Sequence, residues 1–192
     1  MPYPQAEQFC GTWSTTWLGH LSLRPALTGI RCMQPTPKDL FFLDLAVDLA
    51  RQGAQSENGG PFGAVVVRNG EIIGRAHNQV AGSNDPTAHA EIVAIRQACR
   101  EIGSFQLAGC VLYSSCEPCP MCLGAIYWSR PDRVWFAASR QDAAATGFDD
   151  NHIYEELALE LADRRIPFLQ VNRPAALDVF ALWNNKLNKI SY

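Results

Sequence analysis

Lysine is nearly missing from this chain of 192 residues, which carries only Lys38, Lys186 and Lys189. No ammonium-rich patch of the kind that grips a phosphate backbone can form, and the sixteen Lys and Arg are outweighed by nineteen acids, for a net charge of −3. Both facts argue against a nucleic-acid partner. No apolar run approaches the roughly 18 residues that a membrane span requires, so no membrane partner is expected. The cysteines number seven, an odd count, and no secretory apolar segment precedes them. A disulfide framework is therefore a poor explanation for them, and a reducing, cytoplasmic setting fits better. Charged residues make up only 18% of the chain against 47% hydrophobic, which excludes a disordered polyelectrolyte and describes one domain with a real core. There is no internal repeat, low-complexity tract or clear linker.

Residues 1–35 lack convincing periodicity and are read as an N-terminal extension, disordered or upstream of a functional start at Met33. Residues 36–192 form the functional domain with a C-terminal helix and tail. Thr36-Pro37-Lys38-Asp39 starts a helix, with Thr36 as N-cap, Pro37 at the first position and Asp39 as the reciprocal cap. Phe42, Leu45, Ala46 and Leu49 give it one apolar stripe. Strands are predicted at Ala64–Val67 and Ile72–His77 around an Asn69-Gly70 hairpin turn, at Val111–Ser114, at Arg133–Ala137 and at Phe168–Val171. Helices carry Ile92, Ile95, Cys99 and Ile102 in one case, and run from Pro120 through Ala125 to Trp128 in another. A last helix follows Pro174, with Val179, Trp183, Leu187 and Ile190 at helical spacing. Alternating strands and helices predict an α/β fold, a three-layer α-β-α sandwich around a five-stranded mixed sheet.

Two short stretches carry the chemistry. Thr87-Ala88-His89-Ala90-Glu91 offers an imidazole and a carboxylate, and Cys116-Glu117-Pro118-Cys119-Pro120-Met121-Cys122 offers thiols three residues apart. His89, Cys119 and Cys122 supply three ligands to Zn2+ and leave the fourth tetrahedral position open to water, as in catalytic sites. Glu91 is the natural base for that water. The alternative is a structural site closed by Cys116, which makes a non-catalytic, zinc-stabilised binding protein. Pro118 favours a turn that separates Cys116 from Cys119.

His-Ala-Glu with Pro-Cys-x-x-Cys resembles the zinc nucleobase deaminases of the cytidine/deoxycytidylate deaminase superfamily. Pro61-Phe62-Gly63-Ala64, Asn84-Asp85-Pro86-Thr87, Cys116 through Ala125 and Gly147-Phe148-Asp149-Asp150 resemble its guanine deaminases more narrowly. The resemblance implies hydrolysis of guanine to xanthine and ammonia in purine catabolism or salvage, with a tRNA adenosine deaminase as the alternative. It also implies a second catalytic acid, Asp150, and purine contacts from Asn78 and from backbone N–H groups at Ala90 and Cys119. Phe62 and Trp128 are candidate apolar walls for a base, or else core. Members of this family close the site with a C-terminal segment ending in tyrosine, here Tyr192. A homodimer is expected, with the segment closing its own site or, by exchange, its neighbour's.

Overall fold

The computed structural model describes residues 33–190, so residues 1–32 of the expected extension and Tyr192 lie outside the described residues. The elements are α1 (Pro37–Gln55), β1 (Gly60–Arg68), β2 (Glu71–Asn78), α2 (Val80–Ser83), α3 (Ala90–Ile102), β3 (Cys110–Cys116), α4 (Pro120–Ser129), β4 (Arg133–Ala138), α5 (Arg140–Ala144), α6 (Asn151–Ala158) and α7 (Pro174–Asn184). The strands order as β2-β1-β3-β4. β1 pairs antiparallel with β2 and β3, while β3 and β4 run parallel, so the sheet is mixed.

Strand β1 shows why the chain forms three layers. Its alternate residues point to opposite faces. Ala64 and Val66 join Ala90, Ala94, Ile95, Leu112 and Ile126 under α3 and α4. Val65 and Val67 join Phe42, Ala46 and Tyr113 under α1. A strand buried on both faces reads as a continuous apolar run, as Ala64-Val65-Val66-Val67 does. Two glycines set how closely the helices lie on the sheet. A Cβ on Gly63 would overlap the Ala46 carbonyl of α1, and one on Gly74 would overlap the Ala94 carbonyl of α3.

The start of α1 is the capping box expected. Thr36 Oγ1 accepts the Asp39 amide at 3.2 Å, and Asp39 Oδ2 accepts the Thr36 amide at 2.8 Å. Asp39 Oδ1 also accepts the Tyr113 hydroxyl at 2.7 Å, which fastens the helix start to β3. The Asn69-Gly70 turn has both residues at positive φ, 51° and 86°, as such a hairpin demands.

Two expectations need correction. The sheet has four strands among the described residues, because Phe168–Val171 joins no ladder. Its side chains are exposed, Leu169 at 86%; strand-forming residues make a strand only where a free edge meets their backbone. The last helix ends at Asn184, short of Leu187 and Ile190. The consecutive Asn184-Asn185 pair stops it, since asparagine amides compete for backbone partners.

Candidate active site

Two helix starts meet at one place. His89 is the N-cap of α3 and Glu91 lies in its first turn; Cys119 is the N-cap of α4, with Cys122 in the turn that follows. Neither cap side chain bonds its own helix, which leaves both available to other partners. The approach to α3 is shaped by Asp85, whose Oδ1 accepts the Thr87 amide at 2.8 Å and hydroxyl at 2.7 Å. Asn84 takes the left-handed conformation there, φ 52°, which asparagine tolerates. Pro120 opens α4 at a position where its missing N–H costs no bond.

His89 Nδ1 stands 3.5 Å from Cys119 Sγ and 3.6 Å from Cys122 Sγ. The three donor atoms lie within 4.8 Å of one another, and no other such group of three converges among the described residues. Ordinary zinc bond lengths at tetrahedral angles place neighbouring nitrogen and sulfur donors about 3.6 Å apart. The residues therefore fit zinc, and they fill three corners. Cys116 stands apart: its thiol donates to the Ser139 carbonyl at 3.5 Å, and burial pushes it up to about 11. A four-ligand site closed by Cys116 does not match this geometry.

The Cys119 thiol is pulled down to about 4 by a hydrogen bond from Cys122, against its burial, with help from His89. Cys122 shifts up, through that same bond and its burial. His89 rises through its contact with Cys119. Both thiols also sit at helix N-termini, whose positive dipole ends favour thiolate.

Glu91 is buried beside this cluster. Ser114 Oγ donates to its Oε1 at 2.9 Å and Cys122 Sγ to its Oε2 at 3.5 Å. Burial raises its carboxyl, outweighing the hydrogen bonds that oppose the shift. A carboxyl lifted toward neutrality suits proton transfer in both directions.

A cleft of about 370 Å³ opens over these groups, lined among others by Phe62, Asn78, His89, Glu91, Cys119 and Asp150. The Asn78 Oδ1 accepts the Val80 amide at 3.1 Å, which turns its NH2 group to other uses. Asp150 is the N-cap residue of α6 but its side chain does not bond the helix, and its carboxyl is raised by burial and by Cys119 nearby. The Ala90 side chain is buried in the core, at the head of α3. Trp128 is not part of this cleft. It is 61% exposed and lines a separate apolar groove with Ile95, Cys99 and Phe105, so within one chain its position lends no support to a base-stacking role. The sequence motifs assign no role to Ser114 or Phe148. Ser114 had a signal: two serines interrupt an otherwise apolar buried strand, and buried hydroxyls need partners. Phe148 packs edge-on against Phe62 at 5.0 Å, a contact that spacing alone could not announce.

Residues 36–138 match the cytidine and deoxycytidylate deaminase zinc-binding region. Guanine deaminase of Bacillus subtilis is 54% identical over 151 residues, 79% of this chain and 97% of that protein. Its crystal structure superposes with a TM-score of 0.78, covering 80% of this chain and 98% of that one. The tRNA-specific adenosine deaminase of Aquifex aeolicus is 46% identical over 98 residues, 51% of this chain and 64% of that protein. A solved chain in complex with 2,6-diaminopurine is 31% identical, with a TM-score of 0.55 over 61% of this chain and 64% of that one. The His-Cys-Cys cluster, the buried glutamate and these likenesses agree: the chain belongs to the zinc-binding cytidine and deoxycytidylate deaminase family, where it stands with the guanine deaminases.

Proposed function

We propose that this protein hydrolyses guanine to xanthine and ammonia. The observation that carries the reading is the 54% identity to Bacillus subtilis guanine deaminase over 97% of that enzyme. The cleft is chemically suited to it. His89, Cys119 and Cys122 would hold zinc, which when bound acidifies water and acts as a Lewis acid. Glu91, fixed by Ser114, takes a proton from the water and passes it to the ring nitrogen beside C2 as oxygen adds to that carbon. Asp150 accepts a hydrogen bond from the exocyclic amine, then takes up the proton that the new C2 hydroxyl gives up and delivers it to that amine. The C2–N bond then breaks, ammonia leaves, and the C2 oxygen remains as the carbonyl of xanthine. Asn78 offers its amide to the purine edge, and Phe62 offers an apolar wall.

The runner-up is deamination of adenosine in tRNA, favoured by the Aquifex aeolicus relative. The shortage of lysine and the net charge of −3 weigh against it. Zinc-loaded protein incubated with guanine, guanosine, adenine, cytosine and tRNA should release ammonia from guanine alone. Release from tRNA, with guanine inert, would replace this reading with the runner-up.

The same reading makes residues 36–192 the working unit of a cytoplasmic homodimer. Helix α7 has no buried residue, and Leu177, Phe180 and Leu182 are each more than 60% exposed. Apolar exposure on that scale suits a covering surface from a second copy, with Tyr192 delivered to a cleft. Light scattering should give twice the chain mass, and removal of Ser191 and Tyr192 should raise KM or lower kcat. A monomer with unchanged kinetics after that truncation would leave the tail without this role. No helix among the described residues is long and apolar enough to cross a membrane.

A further inference from the structure

Helix α6 carries Asp150 at its cap, yet none of its residues is buried. A side chain that must meet the exocyclic amine within hydrogen-bond reach needs firmer support than a helix without a buried residue supplies. Two contacts flank it. On the N-terminal side Phe148 meets Phe62 edge-on. On the C-terminal side the Arg140 guanidinium lies over the Tyr154 ring, 4.5 Å from its centroid. Tyr154 is four residues beyond Asp150, one helical turn away on the same face.

Arg140 is itself tied to the loop that bears the metal ligands. Its backbone N–H donates to Glu117 Oε2 at 3.2 Å, and the Glu117 N–H donates to the Ala138 carbonyl at 2.8 Å. Glu117 lies between Cys116 and Cys119, so a continuous path runs from the thiol loop through Arg140 to Tyr154 and the Asp150 turn. Glu117, Arg140 and Asp150 all line the same cleft. We infer that Arg140 is a positioning residue, which stacks on Tyr154 and thereby holds Asp150 at a fixed distance from the zinc ligands. The inference rests on the proposed role of Asp150 in guanine turnover. It also gives Glu117 a function that its place in the thiol motif does not explain: it anchors the start of α5.

The test uses the full-length, zinc-loaded enzyme with guanine, and reads kcat, KM, zinc content and melting temperature. Arg140→Ala should lower kcat about 5- to 30-fold, the scale of a lost cation–π contact, with zinc retained. Arg140→Lys, which keeps a cation over the ring, should recover most of that loss. Tyr154→Leu should reproduce it from the other partner, on a helix with no buried residue, whereas Tyr154→Phe, which keeps the ring under the guanidinium, should lose less than Tyr154→Leu. Adding Arg140→Ala to Asp150→Ala should cost less than about twofold more, because a positioning residue has no further effect once its client is gone. Multiplicative losses in the double variant would overturn the inference while leaving Asp150 in its role. So would zinc loss in Arg140→Ala with Tyr154→Leu unaffected, or full activity in both. An Asp150→Ala enzyme as active as wild type would instead refute the Asp150 reading itself, and the inference with it.

Discussion

Replacing Glu91 with glutamine changes one oxygen to an NH2 group and little else. The amide keeps an oxygen for the Ser114 hydroxyl, which donates to Oε1 at 2.9 Å, and turns its NH2 toward Cys122 Sγ, 3.5 Å from Oε2. With zinc bound Cys122 would be a thiolate and accept such a donor, so no buried group is left unpaired and the fold should hold. Glu91→Ala is a worse probe, since it strands the Ser114 hydroxyl in the core at a cost of about 1–3 kcal/mol. What Glu91→Gln removes is the capacity to take a proton from water and hand it on. General acid–base catalysis contributes roughly 10²–10⁴-fold, or about 3–5 kcal/mol of barrier. Xanthine formation followed by ultraviolet absorbance should show that loss in kcat. Zinc content should stay at about one per chain, as expected of a residue outside the ligand set, and melting should shift little. A Glu91→Gln enzyme within tenfold of wild type would refute the assignment of Glu91 as the proton carrier, whatever its zinc content.

The cysteines should separate cleanly. Cys119→Ser or Cys122→Ser should lose zinc and activity, whereas Cys116→Ser, whose thiol faces the Ser139 carbonyl, should keep both; metal analysis of the three proteins decides it. Gly63→Ala should destabilise the fold by about 1–3 kcal/mol in a urea titration, because the new methyl meets the Ala46 carbonyl and α1 must lift from the sheet. Asp39 gives a pH signature. Burial raises its carboxyl, but hydrogen bonds from Thr36 and Tyr113 overcome this and hold it below its ordinary 3.8. A depressed folded value means its ionised form stabilises the fold above pH 3.8, and this contribution is lost as pH falls through the folded value. The stability gap between wild type and Asp39→Ala should therefore be widest near neutrality and narrow below pH 3.8; a gap that widened in acid would reverse the sign.

Much of the fold was legible because its signals are local. Thr36, Pro37 and Asp39 announce a helix start whatever lies around them, and Asn69-Gly70 demands a hairpin. The two buried faces of β1 appear as an unbroken apolar run. The stretch Phe168–Val171 misled for the complementary reason. Its residues have the composition of a strand, but pairing depends on an available edge, which composition does not encode. The end of α7 failed on a smaller scale: Leu187 and Ile190 keep the helical period, yet two asparagines interrupt the backbone first.

The site divides along the same line. His89, Glu91, Cys119 and Cys122 each lie within one turn of a helix start, so short motifs place them against their own helix, and the antiparallel pairing of β1 with both β2 and β3 needs only to bring the two starts to one edge of the sheet. Asp150 also stands at a helix start, but that helix buries none of its residues. Its residue type and spacing fit a turn as well as a catalytic acid, and family likeness alone raised it above that reading. What sets it apart physically is distant in sequence. Phe148 reaches Phe62 across 86 positions, and Tyr154 reaches back to Arg140 across α5 and the loop that follows. A group whose geometry is fixed by contacts of that kind is invisible to any window of residues. The metal half of this site could be read from the chain, whereas the place of Asp150 in the same cleft depends on contacts between the later segment and the earlier one.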